Sequence, residues 1–299
     1  ALGAAREAVR LRRALAKASP QAYTPDLAAS LNNLANLLSA VGEQDGALGA
    51  AREAVRLRRA LAKASPQAYT PDLAASLNNL ANLLPAVGER NGALEAAHEA
   101  VELYRALAKA SPAAYTPHLA GSLSNLANRL SEVGEWNGAL VAAHEAVRLR
   151  RALAEFSPQA YTPDLAMSLS NLANRLSAVG ERNEALVAAR EAVRLRRALA
   201  EASPQAYTPN LAASLNTLAN ILSEVGERNE ALEAAREAVE LYRGLAEVSP
   251  VAYTPDLAAS LNNLANCLSA LGDRDGALGA AREAVELYRG LAEVSPAAY

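Results

Sequence analysis

Amide side chains recur in this chain at one fixed interval. Asn36, Asn82, Asn128, Asn174, Asn220 and Asn266 stand 46 residues apart. Four residues before them stand Asn32, Asn78, Ser124, Ser170, Asn216 and Asn262, which on a helix places each pair on one face. An amide both donates and accepts hydrogen bonds, as does a hydroxyl. Stacked at a constant interval, such groups can hold the backbone of an extended peptide with little demand on its side chains. They can equally bond one another and fix the register of adjacent helices. In either role a buried one needs a partner, because a lone buried polar group costs about 1–3 kcal/mol.

Two consecutive copies depart from the others on this same face. Leu37 and Leu83 give way to Arg129 and Arg175, and Ala29 and Ala75 to Gly121 and Met167. Asn32 and Asn78 give way to Ser124 and Ser170. Two guanidiniums on neighbouring helices can grip a carboxylate or phosphate bidentately. Alternatively Arg129 pairs with Glu132, less than a turn further on. If the chain has a specific binding site, this central stretch is where the sequence puts it.

Other reactive side chains are few. His98 and His144 share one place in the repeat and His118 lies elsewhere, with no cysteine or paired carboxylate beside them, so the convergent ligands of a metal site are missing from the pattern. There is no nucleophile–base pair, phosphate loop or carboxylate dyad. The expectation is a chain without catalysis, metal or cofactor. The single Cys267 gives no intramolecular disulfide, which points to the cytoplasm. With 29 basic and 32 acidic residues the charge is balanced, which disfavours nucleic acid as a partner. No apolar run is long enough for a membrane span.

The elements that carry these groups repeat with them. ALGAAREAV at Ala1 restarts at Ala47 and every 46 residues to Ala277, giving units of about 1–46, 47–92, 93–138, 139–184, 185–230 and 231–276 and a half unit 277–299. One array over 1–299 follows, read as a piece of a longer protein. Each unit holds two helices. In the first, helix A, Thr24 is expected as N-cap, Pro25 as the first helical residue and Gly42 as the left-handed C-terminal stop. Leu27, Leu31, Leu34, Ala35, Leu38 and Val41 form its apolar side. Asp45, Asn91 and their counterparts are expected to cap the second, helix B, at about Gly46–Ala64. Ala47, Ala51, Ala54 and Arg58 face inward there and Arg52, Arg56, Arg59 and Lys63 outward, until Ser65–Pro66 ends the helix. The linker QAYT carries a tyrosine in every copy (Tyr23, Tyr69, Tyr115, Tyr161, Tyr207, Tyr253 and Tyr299), expected to wedge between helices. Pro85 should disrupt the end of its helix.

Asn33-Leu34-Ala35, then Gly42, Ala47, Leu48, Ala51 and Ala54, resembles the tetratricopeptide repeat, in the long form found in kinesin light chains. The resemblance spans the whole chain. Leu31 stands where the family usually has Trp, and Arg59 where it has Pro, so helix B runs on and the unit exceeds the usual length of about 34 residues. The resemblance implies an all-α solenoid, a right-handed superhelix of antiparallel helix pairs with thirteen helices. It implies that helices A line a concave groove for a peptide or partner segment. A protein-interaction scaffold is the first expectation. The alternatives are a structural module that stacks end to end through uncapped ends, or the ligand-sensing arm of a larger signalling protein.

Overall fold

A computed structural model describes residues 1–294. Tyr299 therefore lies outside the described residues. These contain thirteen α-helices and no strand: α1 (Leu2–Ala18), α2 (Pro20–Ala40), α3 (Gln44–Ala64), α4 (Pro66–Leu83), α5 (Arg90–Ala110), α6 (Pro112–Glu132) and α7 (Trp136–Phe156), followed by α8 (Pro158–Ala178), α9 (Arg182–Ala202), α10 (Pro204–Val225), α11 (Arg228–Val248), α12 (Pro250–Ala270) and α13 (Arg274–Val294). Even-numbered helices are the A helices and odd-numbered ones the B helices. The architecture is an α-solenoid of helix hairpins.

The helix starts differ from expectation. Helix A begins at Pro20, and Thr24–Pro25 lies within it. Two Pro pairs compete for the start, and the earlier one wins. Ser19 leaves the helical region at φ −143°, ψ 83°, its N–H closes α1 on the Leu15 carbonyl at 2.8 Å, and Pro20 is already suited to the first turn. One residue thus joins α1 to α2, and QAYT is helical. Pro25 forfeits one intrahelical bond, to the carbonyl of Gln21, and Gln21 is exposed to water. Asp45 is likewise not a cap, since α3 starts at Gln44 after Glu43 with no side-chain cap bond. Among the described residues one acid does cap a B helix: Asp273 Oδ1 accepts the Gly276 N–H at 2.9 Å.

The A-to-B turn follows the sequence. Gly42, Gly88, Gly134, Gly180, Gly226 and Gly272 all have φ between +80° and +86°, the left-handed stop that glycine adopts without strain. After Gly42, the Glu43 N–H reaches back to the Leu38 carbonyl at 2.9 Å, which satisfies an end carbonyl of α2. Pro85 ends α4 at Leu83 and leaves a 3₁₀ turn over Leu84–Val87.

The core is made of leucine against alanine. Leu31, in the place of the family's Trp, is 1% exposed, as are Leu123, Leu215 and Leu261. Ala35, Ala47 and Ala54 are fully buried, and side chains this small let A and B helices approach closely. Val41, assigned to the apolar side, is instead exposed at the turn.

The chain divides into two compact units, Ala1–Leu149 and Arg150–Tyr299, with the division inside α7. Within the first, α2 packs on α4 and α4 on α6; within the second, α8 packs on α10 and α10 on α12. Consecutive B helices are bridged by ion pairs such as Arg59–Glu99 and Arg105–Glu145 in the first unit and Arg151–Glu191 and Arg243–Glu283 in the second, and α9 and α11 leave a hollow between them. The A side is therefore the tighter side of each unit. The bridges are exposed, and such pairs contribute about 0–1 kcal/mol each, so they set register more than stability.

Candidate functional site

The two amide rows separate in the structure. In the row one turn nearer the N-terminus most members serve the fold, and Asn262 is exposed. Asn78 Nδ2 donates to Ser122 Oγ at 2.6 Å, and Asn216 Nδ2 to Ser260 Oγ at 2.6 Å. Ser170 Oγ lies 3.1 Å from Ser214 Oγ, and Ser124 Oγ bonds back to the Ala120 carbonyl at 3.1 Å. Asn79 Nδ2 adds a further link to Asn32 Oδ1 at 3.0 Å. Each cross-helix bond ties one A helix to the next within its unit.

The other row points outward. Asn36 and Asn82 in the first unit, and Asn174, Asn220 and Asn266 in the second, are exposed. Asn128 is half-buried and engaged. Each unit thus presents a spaced set of amides on the A side, where a peptide backbone could meet them.

The two arginines are partly withdrawn. Arg129 Nη2 pairs with Glu132 at 2.9 Å and Nη1 donates to the Ala81 carbonyl at 3.3 Å. Its charge is met within its own helix, as the simpler alternative holds. Arg175 Nη1 donates to the Asn171 carbonyl at 2.8 Å, and burial lowers its pKa from the ordinary arginine value. Met167 is 41% exposed. The two arginines fall in different units.

Reading the sequence missed the role of a third set, the inward arginines of the B helices. Arg58, buried, donates through Nη1 to the Asp72 carbonyl at 2.8 Å and to Ser76 Oγ at 2.7 Å. Arg150 does the same with the Asp164 carbonyl and Ser168 Oγ, and Arg12 with the Asp26 carbonyl and Ser30 Oγ. Each locks a B helix to the A helix that follows. Burial lowers the pKa of Arg58, Arg150 and Arg196. Tyr104 and Tyr242 take this place in other repeats, and burial pushes both up to about 12. Tyr104 bonds backward, to the Pro71 carbonyl at 3.4 Å, and stacks on His118 with ring centroids 5.4 Å apart. The 46-residue pairing of an inward Arg with a Ser eighteen residues on was the available signal.

His98 and His144 are exposed on the B side, and the described residues hold no cluster of three or more metal-ligating side chains. No described helix is long and apolar enough to cross a membrane. Cys267 is buried, with Sγ 3.7 Å from Ser223 Oγ. Trp136 opens α7 and is 46% exposed. The described linker tyrosines, of which Tyr253 packs against the cluster that contains Tyr242 and Leu257, are half-buried.

Among curated proteins no sequence matches this chain. Solved structures share its fold. BtubC (BKLC) from P. vanneervenii superposes with a TM-score of 0.66 at 19% identity, covering 82% of this chain and 90% of that one. A putative kinesin light chain from Podospora anserina, with nearly identical TPR-like repeats, gives 0.56 at 22% identity, over 75% and 98% of the two chains. The apo form of RapI gives 0.58 at 17% identity, over 89% and 84%. The tetratricopeptide repeat pattern itself matches at residues 27–66, 73–112, 119–158, 165–204, 211–247 and 257–293. With every complete unit matched, and with long repeats like those of the kinesin light chain fold, the chain belongs to the tetratricopeptide repeat family.

Proposed function

We propose that this chain is a non-catalytic protein-interaction scaffold whose A-helix side holds an extended peptide or partner segment. The carrying observation is the split of the amide rows. In one row Asn32, Asn78, Ser170 and Asn216 help tie A helices together, while in the other Asn36, Asn82, Asn174, Asn220 and Asn266 remain exposed. An amide accepts from a backbone N–H and donates to a backbone carbonyl, so the row suits an extended chain of varied sequence. Peptides selected by display against the intact chain provide the test. Asn36→Ala with Asn82→Ala, and Asn220→Ala with Asn266→Ala, should each weaken the selected peptides by about tenfold, near 1.4 kcal/mol. Unchanged affinity in both pairs rejects the A side as the binding face.

Self-association is a second reading. Leu11 and Leu15 of α1 are 51% and 44% exposed, and Val285 of α13 is 48% exposed where its counterpart Val55 is 5%. Apolar end faces of this kind can meet between copies. Sedimentation velocity at rising concentration tests it, and a strict monomer throughout removes it.

A further inference from the structure

From α1 to α11, each B helix ends at a one-residue turn into the next A helix. The side chain two places before that turn changes sign along the chain. In the first unit it is Lys17, Lys63 and Lys109; in the second it is Glu155, Glu201 and Glu247, with Glu293 at the same place on α13. All of them are exposed and make no ion pair among the described residues. A cation in the last turn of a helix suits the negative end of its dipole and an anion does not, so the glutamates do not serve the helices that carry them. Their neighbours differ as well. Phe156, Val251 and Val248 are 89%, 89% and 87% exposed, more than any other large apolar side chain among the described residues, and all three flank these turns. The first unit has Ala18, Ala64 and Ala110 beside its lysines. Within each unit these positions share one edge. Arg52 and Arg59 of α3 pair in the same order with Glu89, just before α5, and Glu99 within it, and Arg190 and Arg197 of α9 pair in the same order with Glu230 and Glu237 of α11. The B helices so joined are parallel, and their last turns lie side by side.

We propose that the Glu edge of the second unit docks the Lys edge of the first unit in another copy of this chain. Both rows take one residue per repeat from the same helical position, 46 residues apart, so on either edge the charges advance by the same step. A Lys row laid along a Glu row of that step meets it rung for rung, which an unrelated cationic partner would do only by coincidence. The apolar groups fit the same pairing. Phe156, Val248 and Val251 on one edge would lie against exposed small groups on the other, the alanines and Pro20, Pro66 and Pro112. One exposed ion pair counts for little, whereas several in register determine which surfaces meet and how. The contact uses neither the amide row nor the apolar stripes at Leu11, Leu15 and Val285, so it is independent of both the A-side and the end-face interactions.

The test is a charge swap in the full chain, read by sedimentation velocity at rising concentration. The parent should self-associate, and more weakly as salt rises. Lys17→Glu, Lys63→Glu and Lys109→Glu together put glutamate on both edges; Glu155→Lys, Glu201→Lys and Glu247→Lys together put lysine on both. Either triple variant alone should associate about tenfold more weakly or worse. An equimolar mixture of the two should restore association, and so should all six substitutions in one chain. Each substitution places a residue that the other unit already carries at that position, and circular dichroism checks that the fold is kept. Association undiminished in both triple variants overturns the proposal and assigns the contact to the end faces instead. A mixture and a sixfold variant that associate no better than the triples remove the Lys–Glu pairing. A parent chain that stays monomeric also overturns the proposal, and if that monomer binds polylysine through the Glu edge, the occupant is a different basic protein.

Discussion

Arg58→Ala should loosen one repeat without unfolding the array. Arg58 Nη1 donates to the Asp72 carbonyl and to Ser76 Oγ, and Ser76 is fully buried. Hydrogen bonds from a charged donor contribute about 1.5–3 kcal/mol each, so the two set a ceiling of about 3–6 kcal/mol. Part of that returns when the guanidinium no longer has to leave water, a cost visible in its lowered pKa. Ser76 can also recover a partner. In the next repeat, where Tyr104 replaces the arginine, Ser122 Oγ turns to the His118 carbonyl at 3.0 Å. The analogous acceptor for Ser76 is the Asp72 carbonyl that Arg58 leaves, so what remains is the loss of the charge-assisted bonds and of the side-chain stem's packing, a net loss of about 2 kcal/mol. Arg58→Tyr repeats the substitution that position 104 already carries and should cost under about 1 kcal/mol. Repeat arrays lose stability locally, so hydrogen exchange is the assay. Amides of α3 and α4 in Arg58→Ala should exchange about 30-fold faster, those of α12 and α13 at the original rate. Unchanged exchange in α3 and α4, or equal damage from Ala and Tyr, refutes the role assigned to the inward arginine.

Pro85→Ser gives α4 the residue that Ser39 and Ser131 supply in other repeats; it should replace the 3₁₀ turn by α-helix and stabilise by about 1–3 kcal/mol, seen as slowed exchange after Leu83. Gly134→Ala, at φ +82°, should destabilise by about 1–2 kcal/mol, measured by urea denaturation. Tyr104 and Tyr242 are held neutral by burial, which pushes their pKa values up to about 12 from the ordinary tyrosine value of about 10. The native state therefore keeps a proton that the unfolded chain releases between those values. The stability this represents is complete below pH 10 and lost as pH rises toward 12, at most about 2–3 kcal/mol per tyrosine. Melting temperatures across that interval should fall less steeply for Tyr104→Phe than for the parent chain, and identical slopes would contradict the assignment.

The repeat, the helix pair and the glycine stop were legible because each is written in residues whose conformation is nearly obligatory. Gly42 can take φ +80° cheaply and few other residues can. The helix start was not legible, because Ser19–Pro20 and Thr24–Pro25 carry the same signal and only the path of the chain selects between them. A proline at the sixth helical position costs a bond, but the carbonyl it frees lies on the exposed Gln21. The amide rows pose a harder problem of the same kind. Asn78 and Asn82 are alike in type and lie on one helix face, yet one is spent on Ser122 and the other meets solvent. Nothing in a single helix distinguishes them. The difference arises when a second A helix packs alongside and places the Ser122 hydroxyl within reach of the nearer row alone. The same step explains the B side: Arg56 and Arg59 are both outward residues of α3, and the position of α5 brings Glu99 to Arg59, while Arg56 makes no ion pair among the described residues. In a stacked array, periodicity identifies which positions are equivalent, and the neighbour's offset decides which of them are left to bind something else.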